Sequence, residues 1–258
     1  MSKTNSNSTL FLIDGSTFIF RAYFAMYKAS QSRGSGFTRS DGTPTGAVMA
    51  FCNMMWKIII NGIDGIHPSH IAVIFDTKEK TFRSDIYPLY KANRDAPPED
   101  LIPQFPLIHK AVEAFNIKCI SQIGYEADDL IATYSKIATK RNIKTIIISG
   151  DKDLMQLIDN NVRMYDPMPG RERFIDINGV QDKFGVAPDK VVDVQALAGD
   201  TTDNIPGVPG IGVKIASELI NEYHTLEGLL SNAKEIKQNK RRENLLKYAE
   251  DARISYQL

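Results

Sequence analysis

Four short, largely apolar runs, Leu10–Ile13, Ile71–Phe75, Ile117–Ile120 and Thr145–Ser149, recur along the chain with helical stretches between them. Runs of four or five consecutive apolar residues suit strands buried on both faces. Their alternation with helices argues for a mostly parallel α/β sheet. Val162–Tyr165 reads as a fifth strand. Helices are expected around Phe18, Ile19, Ala22 and Tyr23 and over Thr45–Ile60, separated by a loop at Ser30–Pro44 that holds Gly34, Gly36 and Gly42. No apolar run is long enough to span a bilayer, and Met1–Thr9 is polar, without the hydrophobic core of a signal peptide. At 258 residues the chain can bury an ample core. Cys52 and Cys119 lack metal-like spacing and read as buried free thiols of a reducing compartment.

What singles out these strands is where they stop. The runs ending at Ile13, Phe75 and Ser149 lead into Asp14, Asp76 and Gly150-Asp151. The run ending at Ile120 leads by a short loop into Glu126-Ala127-Asp128-Asp129. Ligands of open parallel sheets bind beyond the carboxyl ends of the strands. One strand-terminal aspartate is commonly a turn former. Acids at the start of a helix can also simply complement its macrodipole, at about 0.3–1 kcal/mol each. Four acidic deposits on one sheet edge repel one another, by about 4 kcal/mol for a unit-charge pair near 4 Å at an effective dielectric of about 20. Such a cluster calls for cations. Carboxylates without His or Cys select hard ions, so Mg²⁺ or Mn²⁺ rather than zinc.

A different texture follows Asp76. Lys78, Lys80, Arg83, Lys91 and Arg94 are interleaved with Phe82, Tyr87 and Tyr90. Cations can track phosphates while rings stack on bases, which suits a single nucleic-acid strand; a solvated helix pair with snorkelling lysines is the plainer alternative. Prolines at 88, 97, 98, 103 and 106 predict two short helices here. Beyond Phe174, the stretch Asn178–Pro188 reads as the joint to a smaller helical part. There Asp200 and Asp203 precede a run containing Gly207, Gly210, Gly212 and Lys214, and Val213–Tyr223 reads as a helix. Glycines let main-chain N–H groups close on a phosphate, and a helix N-terminus adds partial positive charge. This is the helix–hairpin–helix way of gripping a duplex backbone without reading its sequence.

From Leu10 to Leu258 the chain resembles the 5′-nuclease (flap endonuclease) family. The resemblance rests on Leu-Ile-Asp-Gly at 12–15, Phe-Asp at 75–76, Glu-Ala-Asp-Asp at 126–129, Gly-Asp-Lys-Asp at 150–153 and Gly-Asp-Thr-Thr-Asp-Asn-Ile-Pro-Gly-Val-Pro-Gly-Ile-Gly at 199–212. It implies a PIN-like, mostly parallel sheet flanked by helices over residues 9–182, including a helical arch at 78–106. A helix-hairpin-helix (helix-three-turn-helix) subdomain over 183–258 would complete the chain. Asp14, Asp76, Glu126, Asp128 and Asp129 fall where the family builds a first metal site, and Asp151, Asp153, Asp200 and Asp203 where it builds a second. Arg21, Arg83 and Lys91 match its phosphate-handling positions, and Tyr90 and Arg94 its arch motif. Ile215 departs from the usual threonine after the hairpin lysine, which weakens a hydroxyl contact to phosphate but leaves the backbone grip.

The resemblance further implies two Mg²⁺ (or Mn²⁺) ions, a monovalent cation at the hairpin 205–212, and DNA with 5′ flaps, nicks or ends as substrate. It also implies a DNA polymerase as fused or separate partner, no membrane contact, and a monomer in the cytoplasm with the nucleoid. The chain carries 31 basic and 31 acidic residues. Counting nine acids as metal ligands leaves the remainder positive, which suits DNA. A PIN-type ribonuclease would share the strand-end acids but lack the hairpin. A non-catalytic junction-binding protein would have no use for nine acids at a phosphate.

Overall fold

In the computed structural model the described residues are 8–33, 36–168, 170 and 172–258, with side chains outside 30–33. Gly34 of the expected loop lies outside them. Six strands, β1 (Thr9–Asp14), β2 (His70–Ile74), β3 (Lys118–Ile120), β4 (Lys144–Ile148), β5 (Val162–Asp166) and β6 (Arg173–Ile175), form one sheet in the order β3-β2-β1-β4-β5-β6. The β1–β2, β1–β4, β2–β3 and β4–β5 pairs are all parallel. The helices are α1 (Gly15–Arg33), α2 (Gly46–Asn61), α3 (Phe82–Ile86), α4 (Gln104–Ala114), α5 (Ala127–Lys140) and α6 (Ile177–Phe184). They continue with α7 (Val191–Ala198), α8 (Val213–Tyr223), α9 (Leu226–Ser231), α10 (Asn239–Lys247) and α11 (Ala249–Gln257). Among the described residues no helix is long and apolar enough to cross a membrane.

The chain divides into two compact units. The first comprises 1–78, 96–151 and 160–174; the second comprises 79–95, 152–159 and 175–258. In the first, the central strand β1 pairs Leu12 with Ala72 on one edge and Ile147 on the other, and its consecutive Phe11, Leu12 and Ile13 are all buried, so both faces are covered. Phe11, Ile13, Val73, Phe75, Ile146 and Ile148 form one core with Phe18, Phe51, Met55 and Ile108 from α1, α2 and α4. Alternation sends Leu12, Ala72 and Ile147 to the opposite face, where α5 packs with Leu130 and Ile131 buried. The first turn of α2 has no side-chain cap from Thr45. The buried Gln104 serves instead: its Oε1 accepts from the N–H groups of Ala47 (2.8 Å) and Val48 (3.2 Å).

Four expectations are corrected. Helix α1 runs on to Arg33, so the loop does not start at Ser30. Segment 78–106 holds α3, then turns, and α4 begins only at Gln104, because prolines and a left-handed Lys91 (φ 55°) interrupt the backbone between them. Residues 177–184, expected within a joint, form α6: the Asp176 carboxylate accepts from Gly179 N at 3.0 Å and left-handed Gly185 ends the helix. Cys52 and Cys119 are free, as expected, but only half-buried.

The second unit is helical. Val191, Val194 and Leu197 of α7 are buried, as are Ala216, Leu219 and Ile220 of α8 and Leu245 and Ala252 of α10 and α11. The buried Asp193 carboxylate joins α7 to α9 by accepting from Leu226 N at 2.8 Å.

Candidate active site

In the first unit, the carboxyl ends of β1 and β2 bring Asp14 and Asp76 to the same edge of the sheet, Asp76 lying two residues beyond Ile74, the register partner of Asp14. Asp14 is 5% exposed and caps α1: its Oδ1 accepts from Thr17 N (3.1 Å), and its Oδ2 accepts from Thr17 Oγ1 and from Ser149 Oγ (2.7 Å). Burial pushes its carboxyl above the usual range, the hydroxyls of Thr17 and Ser149 oppose that shift, and the neighbouring Asp76 adds to it. Asp76 Oδ2 accepts from Ser16 Oγ (2.6 Å) and Oδ1 from Ala127 N (2.8 Å), so this carboxylate sits on the N-terminus of α5.

Glu126 and Asp129 form a reciprocal capping box there, with Glu126 N donating to Asp129 Oδ2 at 2.9 Å. Asp128 is half-buried on the same turn. The capping reading of these acids is therefore realised, and it is compatible with ion binding, because each carboxylate has further lone pairs. Asp151 follows β4, its N–H donating to Ser149 Oγ at 3.0 Å. Arg21, half-buried on α1, has Asp166 and Glu172 as its charge neighbours; burial lowers its pKa and those acids oppose the shift.

In the second unit, Asp153, Asp200 and Asp203 are matched with cations. Lys152 Nζ bridges Asp153 Oδ1 (3.2 Å) and Asp200 Oδ2, and Gln195 Nε2 donates to Asp153 Oδ1. Burial pushes the Asp200 carboxyl up, but hydrogen bonds from Lys152 and Thr202 outweigh that and hold it below the usual range. Asp203 takes Arg94 Nε at 3.0 Å and lies 3.8 Å from Lys91 Nζ, which also stands 4.9 Å from the centre of the Tyr90 ring. The main chain of Lys91 is pinned too, its N–H donating to Asp203 O at 2.9 Å. Asn93 and Asn204 add bonds to Thr201 O and Leu89 O, both 2.7 Å, so segment 89–94 is laced to 201–204. Arg83 lies over the Phe82 ring and its Nε donates to Leu258 O.

The hairpin glycines divide by role. Gly207 (φ 62°) is buried, and a Cβ there would stand 2.4 Å from Gly199 N; its bareness serves internal packing. Gly210 (φ 80°) and Gly212 are exposed with room around them. Gly212 precedes α8 without any side-chain cap hydrogen bond, and Lys214 is exposed on the first turn. A first turn of this kind can receive an anion. Gly207→Ala is expected to destabilise the protein by at least about 2 kcal/mol, from left-handed strain plus the backbone clash. Gly210→Ala meets only the strain, about 1–2 kcal/mol. Comparing their melting temperatures with that of the parent checks this; equal losses would contradict the division.

Among the described residues, no three His, Cys, Asp or Glu side chains converge closely enough to bind one ion. The donor chemistry nevertheless fits hard divalent ions. All nine mapped side chains offer carboxylate oxygens, and burial beside Asp76 raises the pKa of the Asp14 carboxyl, a shift that a nearby cation would oppose. Three groups were missed from the sequence. Ser149 and Thr17 hold Asp14, and Ser16 holds Asp76. Lys152 and Gln195 hold Asp153. The Asp14-Gly-Ser-Thr17 spacing of a helix cap was a readable signal for Thr17, whereas Ser149 is 135 positions away from Asp14.

The chain thus combines a parallel sheet carrying carboxylates at its strand ends with a glycine hairpin that leads into a helix. The chain belongs to the 5′–3′ exonuclease family: residues 9–185 match its N-terminal resolvase-like domain and 186–258 its C-terminal SAM fold. It is 51% identical over 252 residues to DNA polymerase I of Rhizobium leguminosarum, covering 96% of this chain and 24% of the polymerase. It is also 35% identical to a 5′-3′ exonuclease of Aquifex aeolicus, covering 97% of this chain and 80% of that one. The chain thus spans about a quarter of the length of the polymerase relatives. In fold it is similar to the T5 D15 protein co-crystallised with metal ions (TM-score 0.75, 20% identity, 96% and 87% of the two chains). It is also similar to flap endonuclease-1 from Methanococcus jannaschii (TM-score 0.59, 16% identity, 97% and 78%).

Proposed function

We propose that this chain hydrolyses DNA phosphodiester bonds near junctions of single and double strand, as a 5′→3′ exonuclease and flap endonuclease using two Mg²⁺ or Mn²⁺ ions. The observation that carries this reading is the hydrogen-bonded set of Asp14, Asp76, Glu126 and Asp129 at the carboxyl edge of the sheet, in a chain of the 5′–3′ exonuclease family. These acids with Asp128 would serve the first ion, and of the acids mapped to the second, Asp153, Asp200 and Asp203 lie in the second unit. Bound ions of this kind lower the pKa of an attacking water and stabilise charge on the scissile phosphate.

The chain's own groups prepare that chemistry. Thr17 and Ser149 fix the Asp14 carboxylate, and Ser16 fixes Asp76. Lys152 occupies Asp153 and Asp200 as a counter-ion and must move aside for a divalent ion. Lys91, Arg83 and Arg21 would stabilise phosphate charge. Tyr90 and Arg94 would contact the single strand, and Gly210, Gly212 and Lys214 the duplex backbone. For the monovalent cation at 205–212 the segment offers main-chain carbonyls, of which Ile205 O, Val208 O, Pro209 O and Gly212 O already accept hydrogen bonds. The same reading puts a monomer in the cytoplasm with the nucleoid, beside a DNA polymerase, fused or separate.

Cleavage of a labelled 5′-flap DNA with exhaustive chelation tests this. Activity should vanish, return with Mg²⁺ or Mn²⁺, and not return with Ca²⁺, whose looser coordination misplaces the water. Undiminished cleavage under chelation would overturn it.

A further inference from the structure

Residues 234–247 carry six basic side chains against Glu235 and Glu243. Arg242 is occupied internally, donating to Ile236 O and Asn239 Oδ1, both at 2.8 Å. Among the described residues Lys240 and Arg241 make no such contact, and Lys247 Nζ stands 5.0 Å from the centre of the neighbouring Tyr248 ring, a contact that leaves its charge in place. Together with Asn244 they stand at positions i−4, i−3 and i+3 of one helix, so the three cations share the face that Asn244 presents. Asn244 Nδ2 donates to Pro209 O at 2.7 Å, and Asn244 is the nearest group to the open side of Gly210. The basic face of α10 is therefore held beside the tip of the glycine hairpin, within the same unit.

Lys240 and Lys247 are exposed and Arg241 is half-exposed. No salt bridge among the described residues neutralises any of the three. Arg253 in the same unit, by contrast, is matched with Glu227 and Glu250. A lysine in the last helical turn complements the macrodipole, which accounts for Lys247 alone. It does not account for three cations on the one face that touches the hairpin.

We propose that Lys240, Arg241 and Lys247 of α10 form a second, sequence-independent contact to the phosphate backbone of duplex DNA, continuing the grip that begins at Pro209–Lys214. The inference rests on the proposed function in taking DNA as the ligand, and it adds residues and a helix that the hairpin motif does not contain. Side chains of this type fix register on a duplex without reading bases. Each phosphate contact also releases counter-ions and contributes about 0.9 to the slope of log K against log salt.

The test uses the whole chain carrying Lys240→Ala, Arg241→Ala and Lys247→Ala together, with Asn244 and the hairpin intact. Binding to a fluorescent duplex bearing a 5′ flap is measured in Ca²⁺ from 50 to 200 mM salt (about a fourfold range). The slope should fall by about 2–3 and affinity at the low-salt end by tenfold or more, equally for unrelated sequences, with the melting temperature unchanged. A charge-keeping variant, Lys240→Arg, Arg241→Lys and Lys247→Arg, should retain the parent slope. An unchanged slope in a folded triple-alanine protein overturns the inference, whatever else the face binds. If the parent itself neither binds nor cleaves flap DNA, the proposed function falls first, so the two failures are distinguishable.

Discussion

Asp153→Asn is expected to cut single-turnover cleavage of a 5′-flap substrate at low Mg²⁺ on the order of 10³-fold while leaving the fold and DNA binding in place. A neutral amide is a poorer ligand for a hard ion than a carboxylate, and an ion supplies several kcal/mol of transition-state stabilisation. The structure adds a stability term. Asp153 Oδ1 already accepts from Lys152 and Gln195, and the Lys152 side chain is 40% exposed. An ion pair that open to water contributes about 0–1 kcal/mol. The asparagine should therefore cost at most a few degrees of melting temperature. DNA affinity should hold or improve, since a negative charge has left a phosphate-facing surface. Normal cutting at low Mg²⁺ would remove Asp153 from the ligand set. Joint loss of folding and DNA binding would make the acid structural.

Lys91→Ala should lower the single-turnover rate about 10²–10³-fold, as the removal of one stabilising donor does, with little change in duplex affinity. Alanine keeps the Cβ that lysine already carries at φ 55° and keeps the N–H bonded to Asp203 O, so it removes the ammonium and its stem without altering the backbone strain. Lys91→Gly tests the backbone separately. Glycine relaxes the backbone, so the glycine protein should melt at or above the alanine protein yet be equally slow. If glycine restores the rate, the backbone at 91 mattered and the ammonium did not. If both cut within twofold of the parent, Lys91 is a solvated lysine docked on Asp203.

How far the sequence reaches depends on how local the physics is. The strands β1, β2 and β4 were legible because a strand buried on both faces must be apolar at consecutive positions, whereas β5 (Val-Arg-Met-Tyr-Asp) shows itself by alternation, with Val162 and Met164 buried and Arg163 exposed. β6 was not, since Arg173–Ile175 is three residues long and opens on an arginine. Helix α6 was hidden by Asn178 and Gly179, both poor helix formers, although Asp176 and Gly185 stood ready as its caps. Strand ends deliver acids to one edge by topology alone, so the placement of Asp14 and Asp76 could be read in advance.

What neutralises those acids could not. Mutual repulsion among the acids calls for cations throughout, yet in the first unit hydroxyls and N–H groups from Ser16, Thr17, Ser149 and Ala127 meet the charges. In the second unit the answer is Lys152, a residue lying between two proposed ligands in sequence. Gln195 reaches Asp153 across 42 positions, a distance that no motif spans. The hairpin was legible as a turn, but which glycine packs inward and which faces solvent needed the Gly199–Gly207 contact.

The central claim is that this chain is a structure-specific, divalent-ion-dependent DNA nuclease. The most direct measurement incubates the intact chain with end-labelled 5′-flap, nicked, single-stranded and all-RNA substrates of matched sequence, with and without Mg²⁺, and maps the cut ends. The account predicts Mg²⁺-dependent cutting near the junction of the flap and nicked DNA, leaving 5′-phosphate and 3′-hydroxyl ends, with single-stranded DNA and RNA cut far more slowly. Preferential cutting of RNA would point to a PIN-type ribonuclease. Tight binding of the flap with no cutting in any divalent ion would make the chain a junction-binding protein, and either result would contradict the account.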